Sequence, residues 1–379
     1  MRIVLAGDGG IWQLTGPSGV ELSVENLRLA QPAEMELLKH LPAFAGRVII
    51  PHTGGSPLVP AVIAALNPGA TVEVVELDLH DARLLREKLA PLPNVRVLCQ
   101  ADAEPVDSLR QSGVLLLTER LDRLLAFDFI ERLDHILPAG SPVITLLPKK
   151  RSADFARKVE QHLLKRRVLQ ANHGVMIVQG VSGGDPAAWT PRAHEFAAST
   201  PTEQIKLLTR PGVFAHTRPD SGGLALAESA VVQPGQKLLE LGCGCGLVGL
   251  LLAARLKDAA EFVLVDSNAR AVECARRGVD LNGLHGLRIE HADVFEPEPA
   301  AFDVVLGNPP YYAQRRIAEY FLSVGARALR PGGVLWLVTK HGAEIEELAL
   351  ALQFQVETQH RRGYDISVCR KIEAPSAQP

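Results

Sequence analysis

The chain lacks any apolar run near the roughly 20 residues that a membrane span needs. Its longest strongly apolar stretch, Leu247–Ala254, has the length of a buried helix. The amino terminus, MRIVLAGDGG, has no positive region leading into an apolar core and a small-residue cleavage site, so no signal peptide is expected. Cysteine is scarce: five residues, an odd number and widely scattered, argue against a disulfide framework and for the reducing cytoplasm. An excess of charge is also missing, since 40 Lys and Arg against 43 Asp and Glu leave a net −3. That balance gives no global pull toward nucleic acid, so any such attraction has to be local. What is present is core material, 47% hydrophobic residues over a chain of 379. Such a length suits two domains of about 150–200 residues each.

Strand-like runs alternate with helix-like stretches along nearly the whole chain, the pattern of a parallel sheet covered by helices. In the second half the expected strands are Lys237–Leu241, Phe262–Asp266, Arg288–His291, Asp303–Gly307 and Val334–Thr339, the last entered through the turn Arg330–Gly333. The first half repeats this order. Arg47–Ile50 precedes a loop holding Gly54 and Gly55 and then a helical Leu58–Leu66, and Glu76, Asp102 and Val114–Leu117 match Asp266, Asp293 and Val305–Asn308 at offsets of 190 to 191 residues. Self-similarity that drifts so little marks a duplicated domain. The copies differ where chemistry belongs. Pro51–Gly55 stands opposite the glycine loop Gly242–Gly246, and Leu117–Arg120 opposite Asn308-Pro309-Pro310-Tyr311. The join is expected over 182–200, rich in Gly, Pro, Ala and Ser.

A strand, then Glu240-Leu241-Gly242-Cys243-Gly244-Cys245-Gly246, then a helix is a nucleotide-site layout, in which glycines let the backbone approach a ligand. The spacing G-x-G-x-G departs from the dinucleotide fingerprint G-x-G-x-x-G. Asp266, ending the next strand, is placed to accept from two ribose hydroxyls, and Asp293 from an adenine amino group; alternatively, each caps the helix that follows. Cys243 and Cys245 supply only two ligands, and no further pair completes a tetrahedral site, so no metal is expected.

Asn308-Pro309-Pro310-Tyr311 lies at the carboxyl end of the fourth strand, where open α/β sheets bind ligands. Two prolines fix φ and remove two N–H donors, leaving the Asn308 side-chain oxygen and nearby carbonyls as acceptors. Acceptors suit an amine with two N–H groups, and Tyr311 suits stacking on a planar substrate. These are the expected catalytic residues.

The glycine loop with its acidic strand ends resembles the class I S-adenosylmethionine-dependent methyltransferases. That resemblance implies that Glu240, Gly242, Gly244 and Gly246 hold the methionine part of S-adenosyl-L-methionine, Asp266 the ribose and Asp293 the adenine. A degenerate domain followed by a catalytic one is similar to a narrower family, the ribosomal RNA guanine-N2 methyltransferases of the RsmC and RlmG type. Arg210-Pro211-Gly212-Val213-Phe214, followed by Asp220-Ser221-Gly222-Gly223, carries the likeness further and implies that Phe214 and Asp220 line the pocket; a staple and a helix cap are the alternative. Tyr at 311 departs from the more usual Phe and leaves adenine-N6 and the glutamine amide of a release factor open as acceptors. A non-enzymatic cofactor-binding RNA scaffold is the remaining alternative. The resemblance implies an α/β fold of two tandem Rossmann-like methyltransferase domains, with 1–181 degenerate and serving RNA recognition and 201–379 catalytic. The partner is then ribosomal RNA or a ribosomal subunit, with no membrane. Local basic clusters, Lys149–Arg151, Lys165–Arg167, Arg315-Arg316 and Arg361-Arg362, fit phosphate contact.

Overall fold

The computed structural model describes residues 2–6, 11–15, 21–24, 32–104, 111–118, 121–149, 152–171, 174–184, 189–215, 217–257, 259–309 and 314–372. Two compact units divide the chain, Met1–Arg192 and Ala193–Pro379.

The first unit opens with a small antiparallel sheet of β1 (Arg2–Ala6), β2 (Ile11–Thr15) and β3 (Glu21–Val24). After α1 (Pro32–Leu38) come β4 (Arg47–Ile50), α2 (Leu58–Leu66), β5 (Thr71–Glu76), α3 (Leu79–Leu89) and β6 (Val95–Cys99). The unit continues through β7 (Gln111–Leu116), α4 (Arg123–Glu131), α5 (Leu133–Ile136) and β8 (Pro142–Pro148). It closes with α6 (Ser152–His162), β9 (Leu163–Gln170) and β10 (Val175–Ser182).

The second unit begins with a hairpin of β11 (His194–Ser199) and β12 (Gln204–Thr209), followed by α7 (Ser221–Ser229), β13 (Lys237–Leu241) and α8 (Leu247–Leu256). Next are β14 (Glu261–Asp266), α9 (Ala269–Asn282), β15 (Leu287–His291) and β16 (Phe302–Gly307). The last elements are α10 (Gln314–Ala328), β17 (Leu329–Thr339), α11 (Gly342–Ala351), β18 (Phe354–Arg361) and β19 (Tyr364–Lys371).

The two large sheets run β6-β5-β4-β7-β8-β10-β9 and β15-β14-β13-β16-β17-β19-β18, so each has its own strands in the same spatial order. In both, five parallel strands are joined by an antiparallel pair at one edge. The expected α/β fold of two Rossmann-like domains is what the chain adopts.

Near-continuous apolar strands suit a sheet covered on both faces, and successive residues feed opposite cores. Leu238, Leu264 and Leu306 pack with Leu247, Leu250 and Leu251 of α8, whereas Leu239, Val263, Val265 and Val305 pack with Phe321 and Leu322 of α10. The first unit does the same, Val48 and Ile50 facing α2 and Ile49 facing Phe129 and Ile130 of α4.

Two sequence expectations need correction. The stretch 182–200 is not all linker, because His194–Ser199 pairs with β12 along its whole length. The alternation in Gln204–Thr209 buries Ile205 and Leu207, and that buried face recruits the Ala- and Ser-rich strand beside it. Arg330–Gly333 does not precede β17 but sits within it, where the pairing with β16 jumps from Phe302–Leu329 to Val304–Val334.

Candidate active site

Parallel register aligns the strand ends of the second unit. Leu241 pairs with Val265 on one side and with Gly307 on the other, so the glycine loop, Asp266 and Asn308 leave the sheet at one edge. Gly242, Gly244 and Gly246 all take positive φ, at 66°, 56° and 87°, a region that side chains disfavour. The turn is closed by Gly246 N donating to Cys243 O at 2.8 Å and tied to the neighbouring strand by Cys243 N donating to Val265 O at 3.0 Å. A Cβ on Gly244 would meet nothing within 4 Å, so the space above the loop is open. Below it, the Phe321 ring lies where Cβ atoms on Gly242 and Gly307 would stand 3.1 and 2.6 Å from it. Bare glycine at both strand ends lets one aromatic side chain support both loops.

Glu240 is buried, and its Oε2 accepts the Gly249 N–H at 2.8 Å, satisfying a donor in the first turn of α8 that has no partner within the helix. Burial pushes its carboxyl up to about 8, against the pull of the Gly249 hydrogen bond. Asp266 is half-buried, with Oδ2 accepting Gly244 N at 2.7 Å and Oδ1 accepting Asn268 N at 2.8 Å. It does not cap α9; Asn268 does, accepting from the backbone of Arg270 and Ala271. A carboxylate has about four lone-pair sites, so two backbone donors do not exhaust what it can offer a diol. Asp293 lies half-buried just past β15, and two residues on, Phe295 N donates to the Tyr320 hydroxyl at 2.7 Å, pinning that loop to α10.

The segment Arg210–Phe214 is fastened to the turn after Asp266 and to α9. The fully buried Arg270 donates to Pro211 O at 2.7 Å, Asn268 Nδ2 donates to Gly212 O at 3.1 Å, and buried Arg210 pairs with Glu273 at 2.8 Å. Phe214 is left 56% exposed while its neighbour Val213 is buried, an arrangement suited to ligand contact rather than to a staple. Asp220 caps α7 through Gly223 N at 2.7 Å, and the same Oδ2 accepts from Asn308 Nδ2 at 2.8 Å. Of the two expectations for Asp220, the helix cap is what the structure shows. Pro309 follows Asn308 as a buried residue, and Pro310 and Tyr311 lie outside the described residues. Cys243 and Cys245 are buried with thiols pushed far up by that burial, Cys245 to about 12, and pack in the core as small apolar side chains. Among the described residues no cluster of three His, Cys, Asp or Glu is placed to hold a metal.

Asn268, Arg270 and Tyr320 were missed by sequence reasoning. The Asn268 cap had a signal in Asp266-Ser267-Asn268 ahead of a helical stretch; the other two had none, because their partners are distant in sequence.

In the first unit the equivalent edge is filled from within. Glu76 is fully buried; Thr53 donates to it from its backbone at 2.8 Å and from its hydroxyl, and His52 Nδ1 lies 2.6 Å away. Burial would raise the Glu76 carboxyl, but the His52 charge and the hydrogen bonds from His52 and Thr53 outweigh it and hold it below its usual range. Asp102, the counterpart of Asp293, pairs with the buried Arg132, whose guanidinium stacks 4.1 Å from the Trp189 ring. The counterpart carboxylates of this unit are thus bound by its own side chains.

The family described as "Methyltransferase small domain" matches residues 204–368. The ribosomal RNA small subunit methyltransferase C of Hahella chejuensis is 34% identical over 162 residues, 40% of this chain and 47% of that protein. The chain thus spans about half the length of most of the curated relatives of that name which it matches. The uncharacterised protein YbxB of Bacillus subtilis is 32% identical over 170 residues, 42% of this chain and 83% of that protein. Among solved structures, the T. thermophilus 16S rRNA N2 G1207 methyltransferase (RsmC), in complex with AdoMet and guanosine, shares the two-unit fold. Its TM-score is 0.71 at 22% identity, covering 95% of this chain and 98% of that one. The matched region contains the glycine loop, Asp266, Asp293 and Asn308, and the chain belongs to the methyltransferase small-domain family.

Proposed function

We propose that this chain transfers a methyl group from S-adenosyl-L-methionine to the exocyclic N2 amino group of a guanine in ribosomal RNA, in the cytoplasm and on the small subunit. The observation that supports the reading is Asn308, at the strand end beside the glycine loop, whose amide nitrogen donates to Asp220 so that its oxygen faces away from that carboxylate.

The residues present fit the cofactor. The open space over Gly244 is a cradle for the methionine part, with Gly242 and Gly246 shaping it and Glu240 bracing it from beneath. In this reading Asp266 takes the ribose, Asp293 the adenine and Phe214 the rim of the pocket, supported by the half-buried carboxylates and the exposed ring. When bound, the cofactor supplies an electrophilic methyl on a sulfonium. The chain's part is positioning: Asn308 accepts an amine N–H, Pro309 and Pro310 withhold competing donors, and Tyr311 stacks on the base. Drawing the amine lone pair out of conjugation aims it at the incoming methyl, and an aromatic stack adds about 1–3 kcal/mol of base binding.

The first unit, with its carboxylates internally closed, serves RNA recognition. Support comes from the exposed Lys165, Arg166 and Arg167 on its edge strand β9.

The test is incubation of the full chain with tritiated cofactor and, separately, naked ribosomal RNA, assembled subunits and release factor. Label should appear in small-subunit RNA and digest to N2-methylguanosine. Label confined to release factor, or to adenine, would replace this reading with one of the two that Tyr311 leaves open.

A further inference from the structure

We infer that Asp220 is a positioning residue that fixes which way the Asn308 amide faces, and so makes the site an acceptor for amino groups and not for carbonyls. This rests on the methyl-transfer reading above.

The two residues are 88 apart in sequence, and the Asp220 carboxylate accepts from the Asn308 amide nitrogen at 2.8 Å. An asparagine amide has a donor face and an acceptor face of nearly the same shape, so an unconstrained one presents either. A carboxylate only accepts. Turning the Asn308 amide over would bring oxygen against oxygen at that distance, with repulsion in place of a charge-assisted bond. The amide oxygen is therefore held facing away from Asp220. Asp220 is itself held, because the same oxygen accepts the Gly223 N–H at 2.7 Å in the first turn of α7, where the helix dipole favours negative charge. The Gly223 N–H and the Asn308 amide thus converge on one Asp220 oxygen.

Two chemical consequences follow. Donation to a carboxylate polarises the Asn308 amide and strengthens its oxygen as an acceptor, since bonds in such chains reinforce one another. The site also reads polarity. Guanine offers an amino group at one edge and a carbonyl at another; a locked acceptor holds the first and repels the second, while an amide free to turn over would tolerate both.

The test uses the full chain with Asp220→Ser and Asp220→Asn. Serine caps helices well but is too short to reach Asn308; asparagine caps and offers Asn308 a neutral oxygen. The first readout needs no substrate. In wild type, one Asn308 side-chain N–H proton, assigned by its absence in Asn308→Ser, should be shifted strongly downfield and exchange slowly. That signature should vanish in Asp220→Ser and weaken in Asp220→Asn. The second readout is kinetic: Asp220→Ser should lower kcat by about 10- to 100-fold with cofactor Kd within twofold, and Asp220→Asn should recover part of the loss.

An Asn308 signal unmoved by Asp220→Ser overturns the inference whatever the substrate. So does an unchanged kcat, and so does a rise in cofactor Kd that matches the kcat loss, which would make Asp220 a cofactor ligand. If the amide signature behaves as expected but wild type labels no amino acceptor, the positioning role stands and the proposed function falls.

Discussion

His52 Nδ1 lies 2.6 Å from the Glu76 carboxylate, at the place in the first sheet where the second sheet presents Asp266 to its glycine loop. The same strand end carries an acid in both units, and the loop beside it decides what the acid does. The glycine loop contributes the Gly244 N–H to its carboxylate, whereas in the first unit Thr53 contributes a backbone N–H and a hydroxyl and His52 stands beside them.

Calorimetric titration should find one S-adenosyl-L-methionine site per chain. Asp266→Ala should weaken binding by about tenfold or more, on the scale of a lost charge-assisted hydrogen bond. Glu76→Gln should leave binding within twofold while lowering the melting temperature, because breaking a buried pair costs about 3–5 kcal/mol. Two sites per chain would refute the closed-loop account.

Asn308→Ala should reduce kcat by about 100-fold, the scale seen when a positioned polar group is removed, with cofactor Kd unchanged. Single-turnover rates with saturating cofactor are the measurement. A loss that resides in cofactor affinity would move Asn308 out of the catalytic role.

Glu240 gives a pH prediction. Burial raises its folded-state carboxyl to about 8 from an ordinary 4.5. Where the folded value is the higher one, the unfolded chain ionises first, so the contribution to stability is full below 4.5 and is lost as pH rises through 8. Urea midpoints should therefore fall between pH 5.5 and 8.5 more steeply in wild type than in Glu240→Gln. Parallel pH profiles in the two proteins would contradict the raised value.

Replacing Lys165, Arg166 and Arg167 together by glutamine should weaken ribosomal RNA binding and flatten its salt dependence, since each phosphate contact contributes to the slope. Cofactor affinity should not move, because the three lie exposed on β9 of the other unit. Filter binding at several salt concentrations reads both effects. An unaltered slope would take this strand out of the interface.

The sequence made the second half legible because its signals are local. Lys237–Leu241 is the strand expected, and Leu58–Leu66 in the first half is the helix expected. Asp266 falls at its strand end, where burial along β14 stops. What escaped was whatever depends on residues far apart in the chain. The bond from Asn308 to Asp220 leaves no periodicity, and neither does Arg132 reaching Asp102 beneath Trp189. The small antiparallel sheet of β1, β2 and β3 went unread, and so did the strand His194–Ser199, whose Ala and Ser content reads as linker until β12 supplies its partner.

The buried Glu76 also bears on the history of the molecule. With His52 and Thr53 standing where the second unit has Cys243 and Gly244, and the acid beneath them fully buried, change is barred step by step. Removing His52 alone strands a carboxylate in the core, removing Glu76 alone strands the imidazole, and releasing Asp102 leaves Arg132 in the same position. Each single reversal passes through a less stable protein than either end state. A unit closed in this way is held to its present arrangement by folding energy, independent of any advantage that arrangement confers.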